Sequence, residues 1–175
     1  ISDEFVLNSA INASLYAKTT ITGAYDDSTA CYYGGFVTTD NYQRKIWKRE
    51  NSPTDICAVI FLPNNKKRGD VTRLKLLSDI YLEAFQLAYS GQYWKAMTLN
   101  GVLTSALLSN SYTITRLCLE NGALAASISG NGPAIAAVVR ESEMQRIKSV
   151  LSNLDGRVII SRTNNQKAST VREVG

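Results

Sequence analysis

Apolar and polar residues follow two different periods along the chain, and the period changes from one segment to the next. From Phe5 to Ala17, apolar or small residues recur at the spacing of an α-helix. Ser2 precedes this segment, and the acidic residues Asp3 and Glu4 come directly after Ser2, which is typical of a helix start. The pattern therefore predicts that the chain opens with a helix.

A shorter helix and a β-hairpin are predicted next. Asp26 and Asp27 stand at the start of a segment preceded by glycine, and acidic side chains favour the first turn of a helix. Alternating apolar and polar residues then predict two strands joined by a turn at Asp40-Asn41. The predicted elements of this part are helices at 5–17 and 24–33 and strands at 35–39 and 44–48.

The elements after residue 50 come in a different order. Residues 51–54 are rich in turn-forming types and predict a boundary, so we expect one domain at 1–50 and another at 51–175. The order is typical of an α+β fold, an antiparallel sheet of the ferredoxin-like (split β-α-β) type with helices on one face. The predicted elements are strands at 56–62, 123–129, 134–139, 157–162 and 169–174, and helices at 71–90, 93–108, 111–121 and 142–153, the last capped by Ser142.

Composition favours a folded chain, either an ordinary soluble protein or one that attracts an anionic ligand. Apolar residues make up 45% of the 175 residues, which is enough for a core, and the net charge is +4. This mild positive charge would attract a nucleotide or an organic acid. The densest basic run, residues 66–68, is short and has no interleaved aromatic residues, so we expect no nucleic-acid partner.

The residue types that are rare or absent narrow the chemistry further. The chain has no histidine, which excludes His-based catalytic triads and His-ligated metals within it. Cys31, Cys57 and Cys118 are widely spaced, so we expect buried free thiols in a reducing compartment. The longest dense apolar run, residues 56–62, is too short to span a bilayer, so we expect no membrane partner and a cytoplasmic location.

The acidic pair of the second helix is the first candidate for chemistry. The amide groups and the dipole of a helix N-terminus keep a carboxylate ionised. Such a carboxylate in Asp26 or Asp27 could accept a proton from a substrate hydroxyl, or hold a lysine or a metal ion. Alternatively, the two residues only cap the helix.

A glycine loop at residues 126–136 is the second candidate. Gly130 and Gly132 can adopt backbone angles that are closed to other residues, and can expose amide N–H groups to an anion. Ser127 and Ser129 add hydroxyl donors. A tight connection between two strands, with no ligand, is the alternative, since a glycine loop by itself is a weak signal.

Together the two motifs resemble those of the GHMP kinases, a superfamily named for galactose, homoserine, mevalonate and phosphomevalonate substrates. Ser-Gly-Asn-Gly-Pro at 129–133 is similar to the third motif of that superfamily, a glycine loop near the phosphates. Asp27 lies seven residues before Gly34. This placement resembles that of the family's catalytic aspartate, which lies ahead of a Gly-Gly pair. The runs at 23–27, 33–41 and 122–136 resemble the archaeal shikimate kinases in particular.

The resemblance implies a domain organisation and an activity. Residues 1–50 would end the N-terminal domain of a GHMP kinase, and residues 51–175 would form its C-terminal domain. The activity would be transfer of the γ-phosphate of ATP, with Mg²⁺, to the 3-hydroxyl of shikimate in aromatic amino-acid biosynthesis. Two alternatives stay open: a kinase of the homoserine or mevalonate type, and a non-catalytic module that binds a ligand or dimerises.

The resemblance also implies site residues. Asp27 would orient or deprotonate the attacking hydroxyl, and Asp26 would contact a shikimate hydroxyl. Arg116 would bind the shikimate carboxylate, unless it is an ordinary solvated arginine. No metal ligand is assigned within this chain. The implied phosphate loop consists of Ser127, Ser129, Gly130, Asn131 and Gly132.

One motif of the family is missing. GHMP kinases carry a Pro-…-Gly-Leu-…-Ser-Ser phosphate loop, with a Gly-Leu-Lys-Ser-Ser form in the archaeal shikimate kinases, and nothing like it occurs here. The family would place it just before Ile1, so we expect the whole protein to be a kinase and this chain alone to be inactive. The hairpin would then expose a sheet edge, through which we expect either pairing with a second copy or poor order.

Overall fold

The computed structural model of the chain describes residues 1–20, 22–64, 69–108 and 112–169. The chain folds into two compact units. The first consists of Ile1–Thr54 together with the residues from Thr163 onward, and the second is Asp55–Arg162. Each unit has a hydrophobic core of its own.

The first unit contains two helices and a hairpin. Ser2 caps α1 as predicted, because its Oγ accepts the amide N–H of Phe5 at 3.3 Å. α2 ends at Gly34, whose φ of 71° is readily open only to glycine. The core forms where Leu7 and Ile11 pack against Tyr25. The elements are α1 (Asp3–Tyr16), α2 (Tyr25–Tyr33) and the antiparallel strands β1 (Phe36–Asp40) and β2 (Lys45–Glu50).

The segment after residue 162 belongs to the first unit, although the sequence pattern assigned it to the second domain. Gly35 N donates to Asn164 O at 2.7 Å. The side chain of Asn165 accepts the amide N–H of Ser52 at 2.8 Å and donates to its carbonyl at 2.9 Å. The strand predicted at 169–174 lies, apart from Ser169, outside the described residues.

The second unit confirms the α+β class with an antiparallel sheet. Its strands lie in the order β4-β5-β3-β6, and every neighbouring pair is antiparallel. The elements are β3 (Ile56–Pro63), a 3-10 helix (Val71–Leu77), α3 (Ser78–Tyr89), α4 (Tyr93–Leu107), α5 (Thr113–Glu120), β4 (Ala125–Ile128), β5 (Ile135–Arg140), a 3-10 turn (Glu141–Glu143), α6 (Met144–Ser152) and β6 (Gly156–Arg162).

The core of the second unit forms between the sheet and the helices α5 and α6. Alternate residues of β3 point to the same face of the sheet, so Val59 and Phe61 are buried together. Cys118 of α5 and Ile147 and Leu151 of α6 pack against them. Helix α4 contacts β4 where Gly101 meets Ser127.

Two local predictions are wrong. Ser142 does not cap α6, because residues 141–143 form a 3-10 turn and the helix starts only after Glu143. Cys31 is exposed, whereas Cys57 and Cys118 are buried free thiols as predicted. Burial raises the pKa of the Cys118 thiol to about 11, so this thiol is not a ready nucleophile.

The helices within the described ranges include none that is both long enough and apolar enough to cross a membrane.

Candidate functional site

The start of α2 places two carboxylates in one helical turn without using either as a cap. The N-cap residue is Ala24, in a left-handed conformation with φ of 50°, and its own side chain makes no capping hydrogen bond. Neither Asp26 nor Asp27 is therefore the N-cap residue, although both lie in the first turn of α2. Thr29 Oγ1 fixes the turn from inside by donating to Tyr25 O at 2.7 Å.

Asp27 borders a cavity of about 440 Å³ between α1 and α2, within the first unit. The walls are mostly apolar or small side chains, such as Leu7 and Ala10 of α1. Cys31, one turn after Asp27, lines the same cavity. The carboxylate of Asp27 therefore lies at the edge of a space that a small molecule can enter.

The surroundings of Asp27 disfavour its charged form. Partial desolvation raises the pKa of the Asp27 carboxyl, and the nearby negative charge of Asp26 raises it further. Within the part of the chain that the structure describes, no hydrogen bond or ion pair engages this carboxylate. A carboxylate with a raised pKa and no partner is suited to accept a proton.

Asp26 differs from Asp27 because the hairpin turn holds it. Asn41 Nδ2 donates to Asp26 Oδ1 at 2.9 Å, and the backbone N–H of Asp26 donates to Asn41 Oδ1 at 3.0 Å. One carboxylate oxygen of Asp26 is thus occupied by the turn. The sequence pattern identified Asn41 only as a turn residue and missed this contact.

The glycine loop connects β4 to β5 in the second unit. Ser129, Gly130 and Asn131 are exposed, and Gly132 N donates to Ser129 O at 2.9 Å, which closes a tight turn. Gly130 and Gly132 have φ values of 55° and 72°, as expected for their residue type. A Cβ at Gly130 would meet no atom within 4 Å, so the loop is open on that side.

Ser127 occupies a different position from the rest of the predicted loop. It lies within β4, is only 2% exposed, and its Oγ donates to Ile128 O at 2.9 Å. Its hydroxyl is therefore engaged inside the second unit rather than displayed with Ser129.

Arg116 lies on α5, and its guanidinium is exposed and paired. Its Nη1 is 2.6 Å from Glu120 Oε1, one helical turn further along. An exposed ion pair of this kind contributes little stability. A carboxylate ligand of Arg116 would therefore compete with Glu120 for the guanidinium.

Residues 92–155, which run from α4 to the end of α6, match the family model for the C-terminal part of GHMP kinases. A shikimate kinase from Methanobrevibacter smithii is 40% identical over 168 residues, which is 94% of this chain and 58% of that protein. One from Methanothermobacter thermautotrophicus is 38% identical, over 95% of this chain and 61% of the relative. The chain thus spans about three fifths of the length of these curated relatives.

The fold has solved counterparts at lower identity. The crystal structure of a homoserine kinase from Cytophaga hutchinsonii superposes with a TM-score of 0.67 and 21% sequence identity. The match covers 95% of this chain and 59% of that one. At this identity the similarity shows a shared fold and carries no information on the substrate.

Proposed function

This chain belongs to the GHMP kinase superfamily, in its archaeal shikimate kinase branch, and we propose that the whole protein transfers the γ-phosphate of ATP to the 3-hydroxyl of shikimate. The proposal is supported by the shikimate kinases that are 40% and 38% identical over almost all of this chain. The structural observation that carries it is Asp27, a carboxylate with a raised pKa that has no partner among the described residues and lies beside a cavity of about 440 Å³.

Asp27 would act on the attacking hydroxyl. Phosphoryl transfer depends mainly on positioning and charge neutralisation, together with a residue that orients the nucleophilic oxygen or takes its proton. Asp27 meets the requirement for that residue, because its carboxylate is not committed to another described group. Asp26 would contact another hydroxyl of shikimate through Oδ2, the oxygen that Asn41 leaves free.

The glycine loop would bind the phosphates of ATP. The loop would present the amide N–H groups of Gly130 and Asn131 to an anion, since those of Ser129 and Gly132 donate to Ala134 O and Ser129 O within the turn. Residues 129–132 carry this role better than Ser127, whose hydroxyl is buried. That Asp27 and this loop serve one reaction is part of the proposal, supported by the GHMP family motifs in which both occur.

Mg²⁺ would accompany ATP in the proposed reaction. Within the described ranges, no group of three or more His, Cys, Asp or Glu side chains could hold a metal ion. Mg²⁺ in kinases is bound largely by phosphates and water, with one or two carboxylates.

Release of ADP by the whole protein tests the proposed function. With ATP and Mg²⁺ present, we expect release that depends on shikimate, at a kcat/KM well above the values for homoserine and mevalonate. A preference for homoserine or mevalonate would agree with the assignment to the GHMP superfamily but would reject shikimate as the substrate. No release with any of the three would favour a non-catalytic module.

The pKa of Asp27 predicts a pH dependence for this reaction. The ionised form is the active base, so kcat/KM should fall as the pH drops through the pKa, which is raised by desolvation and by Asp26. Asp26→Asn removes the negative charge nearby, and the acid limb of the profile should move to lower pH. Titration of shikimate itself is common to both profiles, so it cancels in the comparison. An unmoved acid limb would show that Asp27 does not control it.

Arg116 gives a prediction about substrate affinity. Arg116→Ala should raise the KM for shikimate about tenfold to a hundredfold, since a hydrogen bond to a charged group contributes about 1.5–3 kcal/mol. The KM for ATP should stay the same. Glu120→Gln is the matched control, because it removes the partner seen at 2.6 Å and leaves the guanidinium available. If the KM for shikimate is unchanged in Arg116→Ala, the arginine only forms a surface ion pair.

A further inference from the structure

The first turn of α2 lacks the cap that helices ordinarily supply for themselves. The first amide N–H groups of a helix have no partner inside it, and an N-cap side chain usually accepts one of them. Ala24 cannot do so, because its side chain has no acceptor. The amide N–H of Asp26, two residues into the helix from its N-cap, is instead accepted by Asn41 Oδ1 at 3.0 Å.

Asn41 thus caps α2 from a distant part of the chain. It also donates through Nδ2 to Asp26 Oδ1 at 2.9 Å, so both polar atoms of its side chain face the same residue. Thr39 Oγ1 donates to Asn41 Oδ1 at 3.2 Å and helps to orient the amide. We call this pair, Asp26 and Asn41, the α2 clamp.

The hairpin turn that carries Asn41 is itself held on both sides. Asp40 Oδ1 accepts the amide N–H groups of Tyr42 and Gln43, each at 2.9 Å. Arg44 donates to the side chains of two asparagines of α1, at 2.9 and 3.1 Å. Asn41 therefore projects from a turn that is fixed to the rest of the first unit.

We propose that Asn41 is a positioning residue, which acts through the α2 clamp to fix the first turn of α2 and thereby the carboxylate of Asp27. The inference rests on the proposed function, since it assigns Asp27 to the reaction. Asp27 directly follows Asp26, so a shift of the clamped residue moves Asp27 with it. A displacement of about 1 Å at a reacting group can cost on the order of a hundredfold in rate.

Exchange of the two side chains separates the clamp from other effects. Asn41→Asp removes the Nδ2 donor and opposes two carboxylates, so kcat should fall at least about tenfold. The double variant Asp26→Asn/Asn41→Asp restores a donor opposite an acceptor. The carboxylate at position 41 can still accept the backbone N–H of residue 26. The new side-chain amide at position 26 can donate to the same carboxylate. We expect the kcat of the double variant to lie within about threefold of that of the single variant Asp26→Asn, so that the loss of the Asp26 carboxylate is common to both proteins. A change in the KM for shikimate would report the contact of Asp26 with a shikimate hydroxyl, which is separate from its contact with Asn41.

Gln43→Glu is the matched control for the added charge. Gln43 is exposed in the same turn. The kcat of the Gln43→Glu variant should therefore stay at the wild-type value. If Asn41→Asp does not fold, Asn41→Ala removes the clamp without adding a charge and should lower kcat in the same way. Amide hydrogen exchange at residue 26 should be faster in either single variant at position 41 and slow again in the double variant.

The outcomes distinguish this proposal from the proposed function. The clamp is rejected if kcat survives Asn41→Asp and Asn41→Ala, or if the double variant recovers slow amide exchange but not kcat. The proposed function is rejected separately, if the wild-type protein does not act on shikimate. In that case the kcat values of the variants relative to wild type are measured with homoserine or mevalonate, whichever the protein phosphorylates. If the protein phosphorylates neither compound, the positioning role of the α2 clamp is rejected as well.

Discussion

Asp27→Asn in the whole protein should lower kcat by about a hundredfold to ten-thousandfold if Asp27 is the proposed general base, since this is the usual contribution of such a residue. The substitution keeps the shape of the side chain and removes its ability to take a proton or to stabilise charge on the attacking hydroxyl. The KM values for shikimate and ATP should change little, because the lost interaction develops mainly in the transition state. Single-turnover and steady-state kinetics at saturating ATP and shikimate measure both quantities.

Folding should tolerate this substitution. Because the pKa of Asp27 is raised in the folded state, the ionised side chain does not stabilise the fold at neutral pH. The side chain at position 27 is not needed as a cap either, since Ala24 is the N-cap residue and Asn41 takes the nearby amide. The free energy of unfolding in urea at pH 7 should therefore stay close to the wild-type value. Turnover within about threefold of wild type, with chemistry rate-limiting, would end the catalytic assignment of Asp27.

Local sequence patterns were sufficient for several features that depend on neighbouring residues, although not for the start of α6, where Ser142 lies in a 3-10 turn. The Ser2 cap, the end of α2 at Gly34 and the hairpin turn after Asp40 all follow from chemistry within a few positions. The α+β class followed from the order of such elements. Asp27 and the glycine loop were found through their spacing and their resemblance to a family, and their roles stay predictions.

Features that depend on distant residues were missed. Asn165 binds Ser52 across 113 positions, and no local window contains both residues. Asn41 looked like an ordinary turn former, because its contact with Asp26 forms only once the hairpin folds back on α2. A signal was nevertheless present, since an asparagine side chain in a turn often accepts a backbone N–H. The missing capping side chain at Ala24 pointed to the donor that needed a partner.

Gly101 is another residue whose role only packing reveals. It lies inside α4, where glycine disfavours the helix relative to most residues. A Cβ at this position would lie 2.6 Å from Ser127 Oγ and 2.9 Å from Ser127 Cα. The absence of a side chain therefore allows α4 to approach β4, the strand that leads into the glycine loop.

Gly101→Val should lower the free energy of unfolding by about 2–3 kcal/mol, because overpacking a closed contact forces the backbone to shift. The gain in helix propensity over glycine is only a few tenths of a kcal/mol and does not offset this cost. Urea unfolding should show a lower midpoint with an unchanged slope. Val102→Ala, at the adjacent and 41% exposed position of the same helix, is the control and should leave the midpoint unchanged or raise it. Equal stability of Gly101→Val and wild type would mean that α4 and β4 are not in close contact in solution.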